Sequence, residues 1–259
     1  MLRSRIIPFL LLQDGGLVKT QAFKNSKYVG DPINAVKIFN EKQVDELALL
    51  DIDATAKGRE PDYAALHSIA IAARMPLAYG GGIQNAEQAS RIISLGFEKV
   101  SISAAAIARP ELISEMALAV GKQSVVVTLD VRRKMFGSGY TIFTHNGRTK
   151  HAISPSEFCK TAAKLGAGEI VINSIDRDGA MNGFDLDLAR SIREVVDCPL
   201  TFVGGAGSLE HMQALIDTTG VVGAGAGSYF VFKGPYKAVL ISYGRPTRLN
   251  AASGSRRSQ

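Results

Sequence analysis

Short apolar runs alternate with amphipathic stretches along the whole chain, a pattern that predicts a repeated strand–helix unit. The predicted strands cover residues 5–12, 46–52, 76–79, 99–102, 124–129, 169–173, 200–203 and 220–224. Most are continuously apolar, as parallel strands covered on both faces must be. The stretches between them open with helix-start chemistry. Asp31 caps a helix with Pro32 in its first turn, and Ile33, Val36 and Phe39 then recur on one face. Ser154-Pro155-Ser156-Glu157 reads as a capping box, and Asn85 and Ser208 as further N-caps.

Eight strands alternating with helices fit either a closed barrel or a doubly wound sheet. An internal repeat decides between them. Pro76-Leu77-Ala78-Tyr79-Gly80-Gly81-Gly82 is echoed by Pro199-Leu200-Thr201-Phe202-Val203-Gly204-Gly205, and Leu50-Asp51-Ile52-Asp53 by Asn173-Ser174-Ile175-Asp176. The offset is about 123 residues in both cases, close to half the chain. The expected fold is therefore an α/β TIM barrel, (β/α)8, with an internal half-barrel repeat. The 259 residues match the roughly 250 such a barrel needs.

Composition narrows the function classes. No apolar run reaches the roughly 18 residues of a membrane span, and the apolar segment 6–12 is broken by Pro8 without a cleavage site after it. A buried first strand and a cytoplasmic protein are expected. Cys159 and Cys198 stand far apart and the four histidines are scattered, so reduced thiols, no metal and no cofactor are expected. The net charge of +6 includes four arginines in the acid-free segment 244–259, whose composition is that of a disordered tail beyond a barrel domain of residues 1–243. Without them the barrel is near +2, and neither nucleic acid nor membrane is expected as a partner.

The candidate chemistry lies at strand ends. Gly204 and Gly205 after the seventh strand, with Gly227 and Ser228 after the eighth, form a candidate phosphate cradle, because glycines let backbone N–H groups approach an anion. Tight turns are the alternative reading. Gly82, Ser101 and Ser103 form a second candidate cradle in the other half, so the ligand expected is a phosphorylated small molecule. Asp130, after the apolar fifth strand, is a candidate general acid or base. Asp51, Asp53, Asp176 and Asp178 are further acids at the mouth; Asp176-Arg177-Asp178 also reads as a self-paired turn. Lys19, in a Gly-rich loop after the first strand, could clamp a phosphate or belong to a lid. Arg5, Glu46, Lys99 and Glu169 begin strands one, two, four and six, where they make either a salt-bridged plug or a gate.

These residues resemble the cyclase subunit of imidazole glycerol phosphate synthase, over nearly the whole chain to Tyr243. The matching segments include Arg5-Ile6-Ile7-Pro8, Gly30-Asp31-Pro32, Gly80-Gly81-Gly82-Ile83, Lys99-Val100-Ser101-Ile102, Ser174-Ile175-Asp176-Arg177-Asp178-Gly179 and Gly204-Gly205-Ala206-Gly207. The resemblance implies a partner glutaminase docked at the barrel base near Asp45 and Glu98. It also implies that ammonia passes a gate of Arg5, Glu46, Lys99 and Glu169 to reach the mouth. The family uses two catalytic aspartates; one corresponds to Asp130, and the other position holds Leu11. Leucine can neither donate nor accept a proton. The Asn-Thr expected after strand four is Ser103-Ala104, the threonine of strand six is Asn173, and Asp53 is an additional acid. These departures resemble a divergent branch found with surface-polysaccharide genes. That likeness implies ammonia delivery to a separate sugar amidotransferase as the main reading. An active cyclase, with Asp53 as a substitute acid, is the alternative.

Overall fold

A computed structural model describes residues 3–135 and 137–244. The chain begins with β1 (Arg5–Gln13), then a hairpin of β2 (Gly16–Gln21) and β3 (Lys24–Gly30), then α1 (Pro32–Lys42). β4 (Leu47–Asp51), α2 (Tyr63–Ala72), β5 (Leu77–Gly80), α3 (Ala86–Ser94), β6 (Lys99–Ile102), α4 (Ala104–Ala108) and α5 (Glu111–Val120) complete the first half. The second half opens with β7 (Val125–Arg133), β8 (Tyr140–Thr144) and β9 (Thr149–Lys150). It continues through α6 (Pro155–Leu165), β10 (Glu169–Ser174), α7 (Leu186–Arg193), β11 (Leu200–Val203), α8 (Leu209–Thr219) and β12 (Gly223–Ala226). It ends with α9 (Ser228–Val231) and a small hairpin of β13 (Phe232–Lys233) and β14 (Ala238–Val239).

The parallel strands β1, β4, β5, β6, β7, β10, β11 and β12 pair in that order, and β12 returns to β1 to close the barrel. Ile6 and Leu10 of β1 face the helices, while Ile7 and Phe9 face inward with Ala48, Ala78, Val126 and Val171. One apolar run thus serves two cores, because successive side chains of a strand point to opposite faces. The predicted caps form as read: Asp31, Asn85 and Ser208 each accept a backbone N–H, and Ser154 with Glu157 closes a capping box.

Two features differ from the sequence reading. The eighth strand starts at Gly223 rather than at 220 and reads Gly-Ala-Gly-Ala. Its inward positions must be small: a Cβ on Gly223 would strike the Thr201 hydroxyl, and one on Gly225 would come within 2.7 Å of the Phe9 ring. The segment after β1, read as a loop, is the β2–β3 hairpin, whose exposed second strand is polar and lacks an apolar signature. Cys159 is buried and Cys198 partly so, both as free thiols, and burial pushes the Cys159 thiol up to about 12. No helix among the described residues is long and apolar enough to cross a membrane. The predicted tail beyond residue 244 lies outside the described residues.

Candidate active site and base ring

The carboxyl ends of the barrel strands surround a cavity of about 880 Å³ whose wall includes Leu11, Asp51, Asp53, Gly82, Ser101, Ser103, Asp130 and Asn173. This is where the loops of a (β/α)8 barrel converge. The five mouth acids separate sharply by partner. Asp51 accepts the backbone N–H groups of Asp53 and Ala54, so it holds a turn. Asp53 is buried, receives the Gln13 amide at 3.2 Å and pairs with Lys57 at 2.6 Å. Burial works against its ionisation, but Lys57 and Gln13 outweigh that and hold its carboxyl below the usual range. It is a committed anion, poorly suited to replace a missing general acid.

Asp176 and Asp178 are not self-paired through Arg177, as the turn reading expected. Asp176 accepts from the Arg133 N–H and lies 3.4 Å from the Arg132 guanidinium, while Arg177 reaches Asn182. Asp178 receives Lys19 at 2.5 Å, the Thr20 hydroxyl at 2.8 Å and the Phe23 N–H at 3.2 Å, pinning the β2–β3 hairpin against the mouth. Lys19 therefore stands on a strand of that hairpin and is buried.

Asp130 differs from the other four. Its Oδ1 accepts the Asn173 amide at 2.8 Å, and no ion pair reaches it among the described residues. Burial dominates, the Asn173 bond opposes it, and the charge of Asp178 adds to it, so the carboxyl is pushed up to about 7. A group balanced there exchanges its proton at neutral pH.

The two cradles are also unequal. Gly204, Gly205, Gly227 and Ser228 line a small recess with Lys19 and Asp178. Gly204 and Gly205 take φ of +96° and +102°, and a Cβ on Gly204 would come within 2.6 Å of the Ser174 carbonyl, so both need glycine. In the other half, Gly82 N–H donates to the Thr55 hydroxyl, Ser101 bonds Thr128 at 2.7 Å, and the Ser103 hydroxyl is buried without a protein partner.

At the opposite end, Arg5, Glu46, Lys99 and Glu169 form one closed ring. Lys99 lies 2.8 Å from both glutamates, and Arg5 bridges Glu46 and, at 2.6 Å, Glu169. The Thr201 hydroxyl also donates to Glu169. Burial opposes the charge on Glu169, yet Lys99 and Arg5 prevail and keep its carboxyl below the usual range. Just outside the ring, Asp45 accepts from Arg3 and from the Ile6 N–H, and Glu98 is exposed. Thr201 was missed in the sequence; its one signal is a hydroxyl at an inward position of an apolar strand.

Residues 5–236 match the family model described as histidine biosynthesis protein. The chain belongs to the HisF family. It is 55% identical to the "Putative imidazole glycerol phosphate synthase subunit hisF3" of Vibrio vulnificus, with 97% of each chain covered. A second relative is the "Putative imidazole glycerol phosphate synthase subunit HisF" of Leptospira interrogans, 54% identical over 94% of this chain and 96% of its own. The "Imidazole glycerol phosphate synthase subunit HisF" of Thermobifida fusca is 40% identical, covering 95% and 99%. Within this HisF-family barrel, the base ring closes on itself, and among the described residues Asp130 is the mouth acid held by neither an ion pair nor a backbone N–H.

Proposed function

We propose that this chain is the barrel subunit of a glutamine-dependent assembly of the imidazole glycerol phosphate synthase type. A glutaminase docks at the base around Asp45 and Glu98 and releases ammonia against the ring. The ammonia passes inward and reacts at the mouth, where a phosphorylated substrate is held by Gly204, Gly205, Gly227, Ser228 and Lys19. The observation that carries this reading is the spatial order along one axis. A charge-balanced ring lies below, and the apolar interior of Ile7, Phe9, Ala48, Ala78, Val126 and Val171 lies between. Asp130 stands above, in the wall of the mouth cavity. An apolar bore favours neutral ammonia over ammonium, whose desolvation costs far more.

The names of the relatives support a cyclase-lyase reaction at that mouth, with Asp130 as the proton-handling group. A second reading, delivery of ammonia to a separate amidotransferase that modifies a surface-polysaccharide sugar, is favoured by Leu11 together with Ser103-Ala104, Asn173 and Asp53. Losing one of two cooperating catalytic groups costs orders of magnitude in rate. Turnover of the bifunctional phosphoribosyl substrate with ammonium salt separates the two. Turnover that disappears in Asp130→Asn establishes the cyclase; no turnover, together with tight glutaminase binding, establishes delivery. A glutaminase that neither binds nor responds to Lys99→Ala would refute the ammonia route altogether.

A further inference from the structure

We propose that Asn173 is a positioning residue that clamps one oxygen of Asp130 and leaves the other, with its proton, turned to the mouth. Its importance for turnover rests on the reading of Asp130 as the proton-handling group; the clamp itself does not.

The geometry is specific. In the parallel pairing of β7 with β10, Asp130 and Asn173 stand opposite one another, and the Asn173 Nδ2 donates to Oδ1 at 2.8 Å. Oδ1 is therefore an acceptor in either protonation state, so the exchangeable proton resides on Oδ2. Among the described residues Oδ2 has no hydrogen-bond partner, yet it is not sealed from the cavity that both residues line. The half-barrel repeat supplies an internal control. Residue 50 is the counterpart of residue 173, and Leu11 stands opposite Leu50 in the pairing of β1 with β4. The polar pair occurs where the acid is kept, and an apolar pair where it is lost. An amide serves no purpose beside a leucine, and an acid buried without a donor would stay protonated.

Burial and the charge of Asp178 both disfavour the Asp130 anion, and the Asn173 bond is the contact that opposes them. Asp178 is bound to Lys19, Asp176 to Arg132 two residues beyond Asp130, and Asp53 to Lys57, while Asp51 is held by its own turn. His145 and Arg148 line the cavity from the β8–β9 hairpin.

The test is a carboxyl 13C titration of the full chain labelled at aspartate, with the Asp130 signal assigned by its disappearance in Asp130→Asn. Asn173→Val should move the Asp130 midpoint upward by about one unit, the loss expected for a hydrogen bond to a charged acceptor. Asn173→Thr, which keeps a shorter donor, should fall between it and the parent. If both variants fold and titrate like the parent, the clamp is refuted. If the midpoint moves but ammonia-dependent turnover and its pH profile do not, the clamp stands and the role given to Asp130 fails.

Discussion

Leu11 stands directly across from Leu50 in the β1–β4 pairing, occupying in one half of the barrel the relationship that Asp130 and Asn173 hold in the other. Restoring an acid at position 11 alone would place it beside a leucine, where burial keeps it neutral. The double change Leu11→Asp with Leu50→Asn supplies both acid and donor. We expect the double variant to show at least tenfold more ammonia-dependent cyclase turnover than Leu11→Asp, measured at equal protein and substrate. Equal rates would separate the donor from acid function.

The buried pair Lys19–Asp178 should matter far more than an exposed one. Removing one partner of a buried pair leaves an uncompensated charge, so Asp178→Ala should lower unfolding free energy by about 3 kcal/mol in urea melts. Arg109 and Glu115 are both about half exposed, and Arg109→Ala should leave the melt unchanged. Comparable losses in the two variants would contradict the burial argument.

Asp130 is an acid whose burial raises its pKa to about 7 in the folded state. Its folded value lies above the unfolded one, so its contribution to stability is full at acid pH and is lost as pH rises through about 7. Asp130→Asn removes that loss. The variant should be more stable than the parent at pH 8, by about 1–3 kcal/mol, with the advantage shrinking toward pH 4. Denaturant midpoints across this range provide the check.

Glu169 shows the opposite sign. Lys99 and Arg5 overcome burial and depress its pKa, so the stabilisation is present above the unfolded value near 4.5 and is lost as pH falls through the folded one. Acid unfolding of the parent should therefore steepen below about pH 4, and Glu169→Gln should flatten that limb while lowering stability at pH 7. An unaltered acid limb would mean that the ring does not couple to folding.

Much of this molecule is legible in one dimension. The barrel follows from apolar runs, caps and the half-chain repeat, since each reports a local preference that the closed sheet satisfies. The base ring is legible too, because Arg5, Glu46, Lys99 and Glu169 open predicted strands at one end. Partnership is not local. Five aspartates look alike in the sequence, and only the fold shows Asp53 bound to Lys57, Asp176 to Arg132 and Asp178 to Lys19. Those partners come from three separate places, a turn after β4 for Lys57, the end of β7 for Arg132 and the β2 strand for Lys19, and only folding brings each to its acid. The apolar pattern and the repeat dictate a two-fold repeated barrel, and the family resemblance alone marks position 11, here Leu11, as a place where an acid is expected. Folding alone sets Asp130 apart from the other acids, because its burial and the strand register that places Asn173 against it exist only once the sheet has closed.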